Sequence, residues 1–286
     1  MAESYSHKFG QIIGDLLEAA VFPHLEEFAQ KHDLYLDKKG ERLTRKGKKL
    51  TWIDGKNNKH DLDFVLERGG TDSKLGDPVA FIETAWRRYT KHSRNKAQEI
   101  QGAIMPLVEK YSYTSPFTGV VLAGEFTEGS LTQLRSLGFS VLYFPYATVI
   151  QAFAKFGIDA SSDEDTPELE FKKKIEAWER LPNKHAIAKE LMSLNSQEAN
   201  RFFKALESSI LRSIESIIIW PLHGQGSTVA SISEAIDFLN NYSEGQEALP
   251  FVKYEIMIKY NTGSRIDAVC MSKKEALDFL KRHATT

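Results

Sequence analysis

Asp63 and Glu83 are the residues of this chain whose type and setting ask for a chemical explanation. Asp63 lies in an alternating segment, His60-Asp61-Leu62-Asp63-Phe64-Val65-Leu66. Glu83 lies in Pro78-Val79-Ala80-Phe81-Ile82-Glu83-Thr84-Ala85-Trp86, where burial would otherwise select an apolar residue. Side chains alternate faces along a strand, so Glu83 shares a face with Ala85, and Asp63 shares one with Asp61 and Val65. If the two strands adjoin, Asp63 and Glu83 converge on one point, with Asp61 as the alternative to Asp63. Paired carboxylates repel and raise a pKa unless a cation neutralises them. Mg²⁺ suits that role, because it takes one or two carboxylates, keeps several waters and accepts a phosphate oxygen. It would polarise a phosphodiester, and a nearby lysine would share the developing charge. A run of cations follows at once: Arg87, Arg88, Lys91, Arg94 and Lys96. Acids on neighbouring strands beside a basic surface describe a nuclease site.

The elements that must position these groups follow from periodicity. Ile12, Ile13, Leu16, Leu17, Ala20 and Val21 recur at helical spacing and predict a helix from Phe9 to His32, with Pro23 placed to kink it. Leu34–Leu36 and Leu50–Ile53 predict short strands flanking a lysine-rich turn. Val79–Trp86 predicts a buried strand. Ser93 is placed to cap a helix running to about Lys110, with Ala97, Ile100, Ala103, Ile104 and Leu107 inward. A continuous apolar strand follows from Gly119, then a helix over Ser130–Leu137 closed by Gly138, then a strand over Phe139–Phe144. This alternation implies a sheet that is at least partly parallel and covered by helices. Beyond a linker at Ala160–Asp165, three helices, a strand, a helix, a hairpin and a last helix predict an α+β unit.

At this point the chain resembles the PD-(D/E)XK nuclease superfamily, over roughly residues 9 to 150. The likeness rests on element order with Asp63 and Glu83-Thr84-Ala85. Ala85 stands where the family motif has a lysine. The resemblance implies an α/β, restriction-endonuclease-like core with a mixed central sheet and flanking helices over residues 1–160, and a helical linker with a small α+β domain over 161–286. It also implies a replacement lysine, with Lys96 first and Lys91 second, and a further acid, Glu18, from the first helix. Metal ligands would be Asp63, Glu83 and Glu18, while Gln98 and Glu99 could support the site. Phosphate contacts would come from Arg87, Arg88, Arg94, Lys46 and Lys48.

Composition sets the setting. The 286 residues carry a net charge of -2, which argues against bulk polyelectrolyte binding. Yet Lys38–Lys49 and Arg87–Lys96 are strongly basic, whereas Ser162–Glu170 is acidic. Localised basic segments suit a polyanion held on one face. The single cysteine, Cys270, fits a reducing cytoplasm, and Met1–Lys8 has no signal-peptide pattern. No apolar run is long enough to span a bilayer. His60 reads as structural, Cys270 as core, Trp52 and Trp86 as packing, and His223–Ser227 as a connection rather than a phosphate loop. The expectation is a Mg²⁺-dependent endonuclease acting on double-stranded DNA, most simply a homodimeric type II restriction enzyme. The alternatives are a non-catalytic DNA-binding module of the same fold, motivated by Ala85, and a structure-specific repair nuclease.

Overall fold

In the computed structural model, which describes residues 4–90, 93–245 and 249–284, the apolar run from Val79 to Ile82 forms the middle of β5 (Asp77–Arg87). The chain divides into two units, Met1–Lys110 with Pro116–Leu206, and Tyr111–Ser115 with Glu207–Thr286. The first unit is α/β. It opens with α1 (Tyr5–Lys31), which runs through Pro23 and buries Phe9, Ile13, Leu17, Val21 and Leu25 along one stripe. Its five-stranded sheet joins β5 to β1 (Leu34–Lys38), β4 (Phe64–Arg68), β6 (Phe117–Gly124) and β7 (Ser140–Pro145), in the order β1-β4-β5-β6-β7. The β1–β4 and β4–β5 pairs are antiparallel, whereas β5–β6 and β6–β7 are parallel, so the sheet is mixed. Every residue of β6 is buried, as a central parallel strand requires.

Helices flank this sheet. α2 (Ser93–Lys110) and α3 (Glu128–Ser136) pack on each other, while α1 packs on α5 (Glu168–Arg180) and α6 (His185–Leu194). The stretch expected as a linker after residue 160 therefore supplies helices that cover α1, and the first unit extends to Leu206. A helix not foreseen, α4 (Tyr146–Ala154), follows β7 directly. Ser93, expected to cap α2, is its first residue, and its buried hydroxyl meets Ser130 Oγ at 3.1 Å. Gly138 closes α3 in the left-handed region at φ +87°, as the sequence suggested.

The segment read as one strand from His60 to Leu66 is two. β3 (Lys59–Leu62) pairs with β2 (Leu50–Ile53) in a separate ribbon, and β4 joins the main sheet. The break falls on Asp63. Asp61 accordingly belongs to the ribbon, where it accepts hydrogen bonds from Lys49 Nζ and Thr51 Oγ1, each at 2.6 Å. It does not share a strand face with Asp63.

The second unit carries a four-stranded antiparallel sheet in the order β11-β10-β8-β9, from β8 (Ile214–Pro221), β9 (Ser227–Val229), β10 (Tyr254–Tyr260) and β11 (Arg265–Cys270). α8 (Ile232–Asn241) and α9 (Lys273–His283) bury Ala235, Leu239, Ala276 and Leu280 against Ile217, Ile219, Ile256 and Ile258. Cys270 lies in this core, and burial pushes its thiol pKa up, so it is inert as read. Among the described residues, no helix is long and apolar enough to cross a membrane.

Candidate active site

The break at Asp63 puts a carboxylate at the mouth of the sheet. Its Oδ2 accepts hydrogen bonds from the Thr84 amide at 2.7 Å and the Thr84 hydroxyl at 2.8 Å. The β4–β5 ladder pairs Phe64 with Ile82, so one step on Asp63 stands opposite Glu83. Opposed residues of an antiparallel pair project to the same side, and the two acids therefore meet.

Glu83 is 7 % exposed, and its Oε1 has no hydrogen-bond partner among the described residues. Burial first, then the Asp63 carboxylate, push its pKa up to about 8. Lys96 and the Asp63 amide pull it down, and Glu18 adds to the rise. Glu18, from α1, is itself raised to about 7 by burial, by Asp63 and by Asp15, against the attraction of Lys39 and Lys38. Asp63 thus destabilises the charge of both Glu83 and Glu18, and Lys96 offsets part of it at Glu83. Such a cluster at neutral pH either holds protons or holds a cation.

A cleft of about 560 Å³ opens beside these groups. The α1 side contributes His7, Gly10, Gly14 and Glu18, which recur every three or four residues and so form one helix face. The sheet side contributes Asp63, Thr84, Ala85 and Trp86, and Arg87, Arg88 and Lys96 stand against the acids Asp15, Glu18 and Asp63 along the same walls. Gly124, at φ +99°, lets β6 turn so that the Glu125 amide reaches the Arg87 carbonyl at 2.7 Å. A Cβ at Gly124 would lie 2.0 Å from that carbonyl oxygen, so glycine is required there.

Of the expected site residues, the structure brings Asp63, Glu83, Glu18 and Lys96 together. Lys96 also stands 3.6 Å from Glu99. Lys91 lies outside the described residues. Arg87 lines the cleft and pairs with Glu99 at 3.6 Å. Arg88 lines it too, donating to the Ser6 carbonyl at 2.8 Å and stacking over Phe171. Arg94, Lys46 and Lys48 are exposed and do not line the cleft; Lys48 lies 3.7 Å from Glu41.

In the basic segment Lys38–Lys49 the lysines are exposed, whereas its two arginines, Arg42 and Arg45, are taken up by the fold. Arg42 is buried, donating to Asp37 at 2.6 Å, to Glu67 at 3.0 Å and to two backbone carbonyls. Burial works to lower its pKa, but the hydrogen bonds to Glu67 and Asp37 outweigh it, and the guanidinium is held charged. Arg45 also pairs with Asp37, at 2.8 Å. These two arginines hold the fold. His60 likewise bonds to Asp54, at 3.1 Å.

Sequence reasoning missed Thr84, which fixes Asp63, and Asp15, which raises Glu18. It also treated Trp86 as packing, although the indole lines the cleft and meets Tyr146 at 5.8 Å. The i, i+4, i+8 spacing of Gly10, Gly14 and Glu18 was the available signal for the α1 face.

Among the described residues, no three His, Cys, Asp or Glu side chains stand in an arrangement ready to hold a metal. Asp63 has one oxygen committed to Thr84, which leaves Oδ1 for a ligand. The donor chemistry of the site still fits a hard divalent cation: all the acids are carboxylates, and Glu83 Oε1 is an orphaned buried acceptor. No family model, curated protein or solved structure matches this chain.

Proposed function

We propose that this protein is a Mg²⁺-dependent endodeoxyribonuclease of the restriction-endonuclease-like fold that hydrolyses phosphodiester bonds in duplex DNA. Its simplest form is a type II restriction enzyme working as a homodimer. The observation that carries this reading is Glu83: a buried carboxyl with an oxygen unpartnered among the described residues, beside Asp63 and Glu18, next to a cleft that Arg87, Arg88 and Lys96 line. Asp63, Glu83 and Glu18 would hold Mg²⁺, which when bound supplies Lewis-acid polarisation of the phosphodiester.

The chain's own groups have separable tasks. Thr84 fixes the orientation of Asp63 through two hydrogen bonds. Lys96, which already offsets the charge around Glu83, would stabilise negative charge developing on the phosphate. Arg87 and Arg88, at the cleft wall, would take flanking phosphates as charge-assisted donors. The lone buried Cys270 suits the cytoplasmic setting that a DNA-cutting enzyme would occupy.

The test is incubation of purified protein with a long duplex DNA in Mg²⁺ or in EDTA, with Glu83→Ala alongside. Discrete fragments that require both the metal and Glu83 are expected. Cleavage by Glu83→Ala would sink the assignment. One observation favours a second reading: buried Ala85 lines the cleft with a methyl where the resemblance puts a lysine. A non-catalytic DNA-binding module would bind the duplex and leave it intact under Mg²⁺ or Mn²⁺. Faster cleavage of branched or single-stranded DNA would instead mark a structure-specific repair nuclease.

A further inference from the structure

The four-stranded sheet of the second unit has one face covered by α8 and α9 and one face open. On the open face three cross-strand rows lie side by side: Ser216–Lys259–Arg265, Ile218–Met257–Asp267 and Trp220–Glu255–Val269. Trp220 is 44 % exposed and Val269 61 %, on either side of Glu255, and Ile218 and Met257 in the neighbouring row are partly exposed. Trp220 is also braced from below: a Cβ on Gly226 would lie 2.3 Å from its ring, so the absence of a side chain there seats the indole. Exposed apolar side chains gathered on one sheet face, with charges set among them, are the usual mark of a protein-binding surface.

The charges identify the partner. Both signs are present: Lys253 lies 2.7 Å from Glu255 and Arg265 lies 3.1 Å from Asp267. A mixed face of this kind does not suit a polyanion. Its pattern is instead self-complementary. A two-fold axis lying along the Ile218–Met257–Asp267 row maps the Glu255 row onto the Lys259 row. Each Glu255 then faces Lys259 of a second copy, Met257 meets its own symmetry mate, and Arg265 of each copy flanks the Asp267 pair. The other in-plane axis, along β10, would set Glu255 against Glu255 and Lys259 against Lys259. Charge therefore selects the first arrangement, and the twist of each sheet turns it to the roughly 30° crossing of aligned packed sheets.

We propose that this open face is an isologous interface through which two copies of the chain associate sheet to sheet. The inference makes no use of the nuclease reading, and its test involves neither DNA nor metal. The mass of the full-length protein would be measured by sedimentation velocity across a hundredfold concentration range, with circular dichroism to show that each variant folds. The wild type is expected as a dimer, and Met257→Glu, which sets like charges across the axis, as a monomer. E255K and K259E alone should each weaken association at least tenfold, because both Glu255–Lys259 contacts across the axis become like-charged. Mixing the E255K and K259E chains should restore it as a heterodimer. A wild type that stays monomeric throughout overturns the proposal. So does a dimer that survives Met257→Glu, or variants that fail to associate on mixing.

Discussion

Asp63 and Thr84 are locked together: one carboxylate oxygen, Oδ2, accepts both the amide and the hydroxyl of Thr84. The lock orients Asp63 at the point where the chain leaves the β2–β3 ribbon and enters the main sheet. Thr84→Val keeps the amide bond and the side-chain shape but removes the hydroxyl donor. It is expected to cost about 1.5–3 kcal/mol, the range for a hydrogen bond to a charged group. Urea unfolding checks this, and Thr84→Ser should recover most of the loss. A cost below a few tenths of a kcal/mol would show that the amide alone holds Asp63.

The raised carboxyls at Glu83 and Glu18 make stability depend on pH in a stated direction. Glu83 titrates near 8 in the fold against an ordinary 4.5, so the fold favours its neutral form. The corresponding stability is fully present below pH 4.5 and is lost as pH rises through about 8; Glu18 adds a smaller loss ending near 7. In EDTA, wild-type stability should therefore fall by a few kcal/mol across this window, at about 1.4 kcal/mol per pH unit before coupling is shared out. Glu83→Gln should flatten the curve and become the more stable protein above pH 8. Mg²⁺ should raise the wild type and leave Glu83→Gln nearly unmoved. Parallel curves for the two proteins in EDTA would mean that Glu83 is not the titrating group.

The order of elements could be read from the sequence because apolar periodicity is local: α1, β5, α2, β6 and α9 stand close to where spacing put them. The junction at Asp63 could not. His60 to Leu66 carries no glycine, proline or asparagine to mark a break, and nothing in the run says that β3 and β4 take different partners. That choice is made by pairing, β3 with β2 in the ribbon and β4 with β1 and β5 in the main sheet. The convergence of Glu18 and Lys96 on Glu83 is likewise a matter of packing between helices and sheet, and the sequence offered them only by resemblance. Arg42 shows the opposite error. In the chain it is one cation among many, and only the return of β4 brings Glu67 to it.

Arg42 therefore gives a stability prediction rather than a binding one. Arg42→Met strands Glu67 in the interior, since Asp37 keeps Arg45 while Glu67, among the described residues, keeps only the Gly76 amide. Removing one partner of a buried ion pair costs about 3–5 kcal/mol. Arg42→Met should lower the urea midpoint accordingly, and Arg42→Met with Glu67→Gln should recover part of the loss. Duplex-DNA affinity per folded molecule should stay within twofold. A tenfold fall in affinity with an unchanged midpoint would return Arg42 to the DNA surface.

Lys96 carries the sharpest test of the catalytic reading, because its two roles predict different data. If it serves only Glu99, at 3.6 Å on the same helix, then Lys96→Met and Glu99→Gln should be equally mild. If it stabilises charge at the scissile phosphate, Lys96→Met should cut the cleavage rate by roughly 10²–10³ with DNA affinity little changed. It should also move the pH profile. Lys96 holds the Glu83 pKa down, so its loss lets that pKa rise above about 8, and ionising Glu83 to receive Mg²⁺ then takes a higher pH or more metal. Lys96→Met should therefore show its acid limb shifted to higher pH and a higher Mg²⁺ requirement, both absent from Glu99→Gln. An unshifted profile with an intact rate would leave Lys96 as a surface partner and turn the search for the missing lysine elsewhere in the cleft.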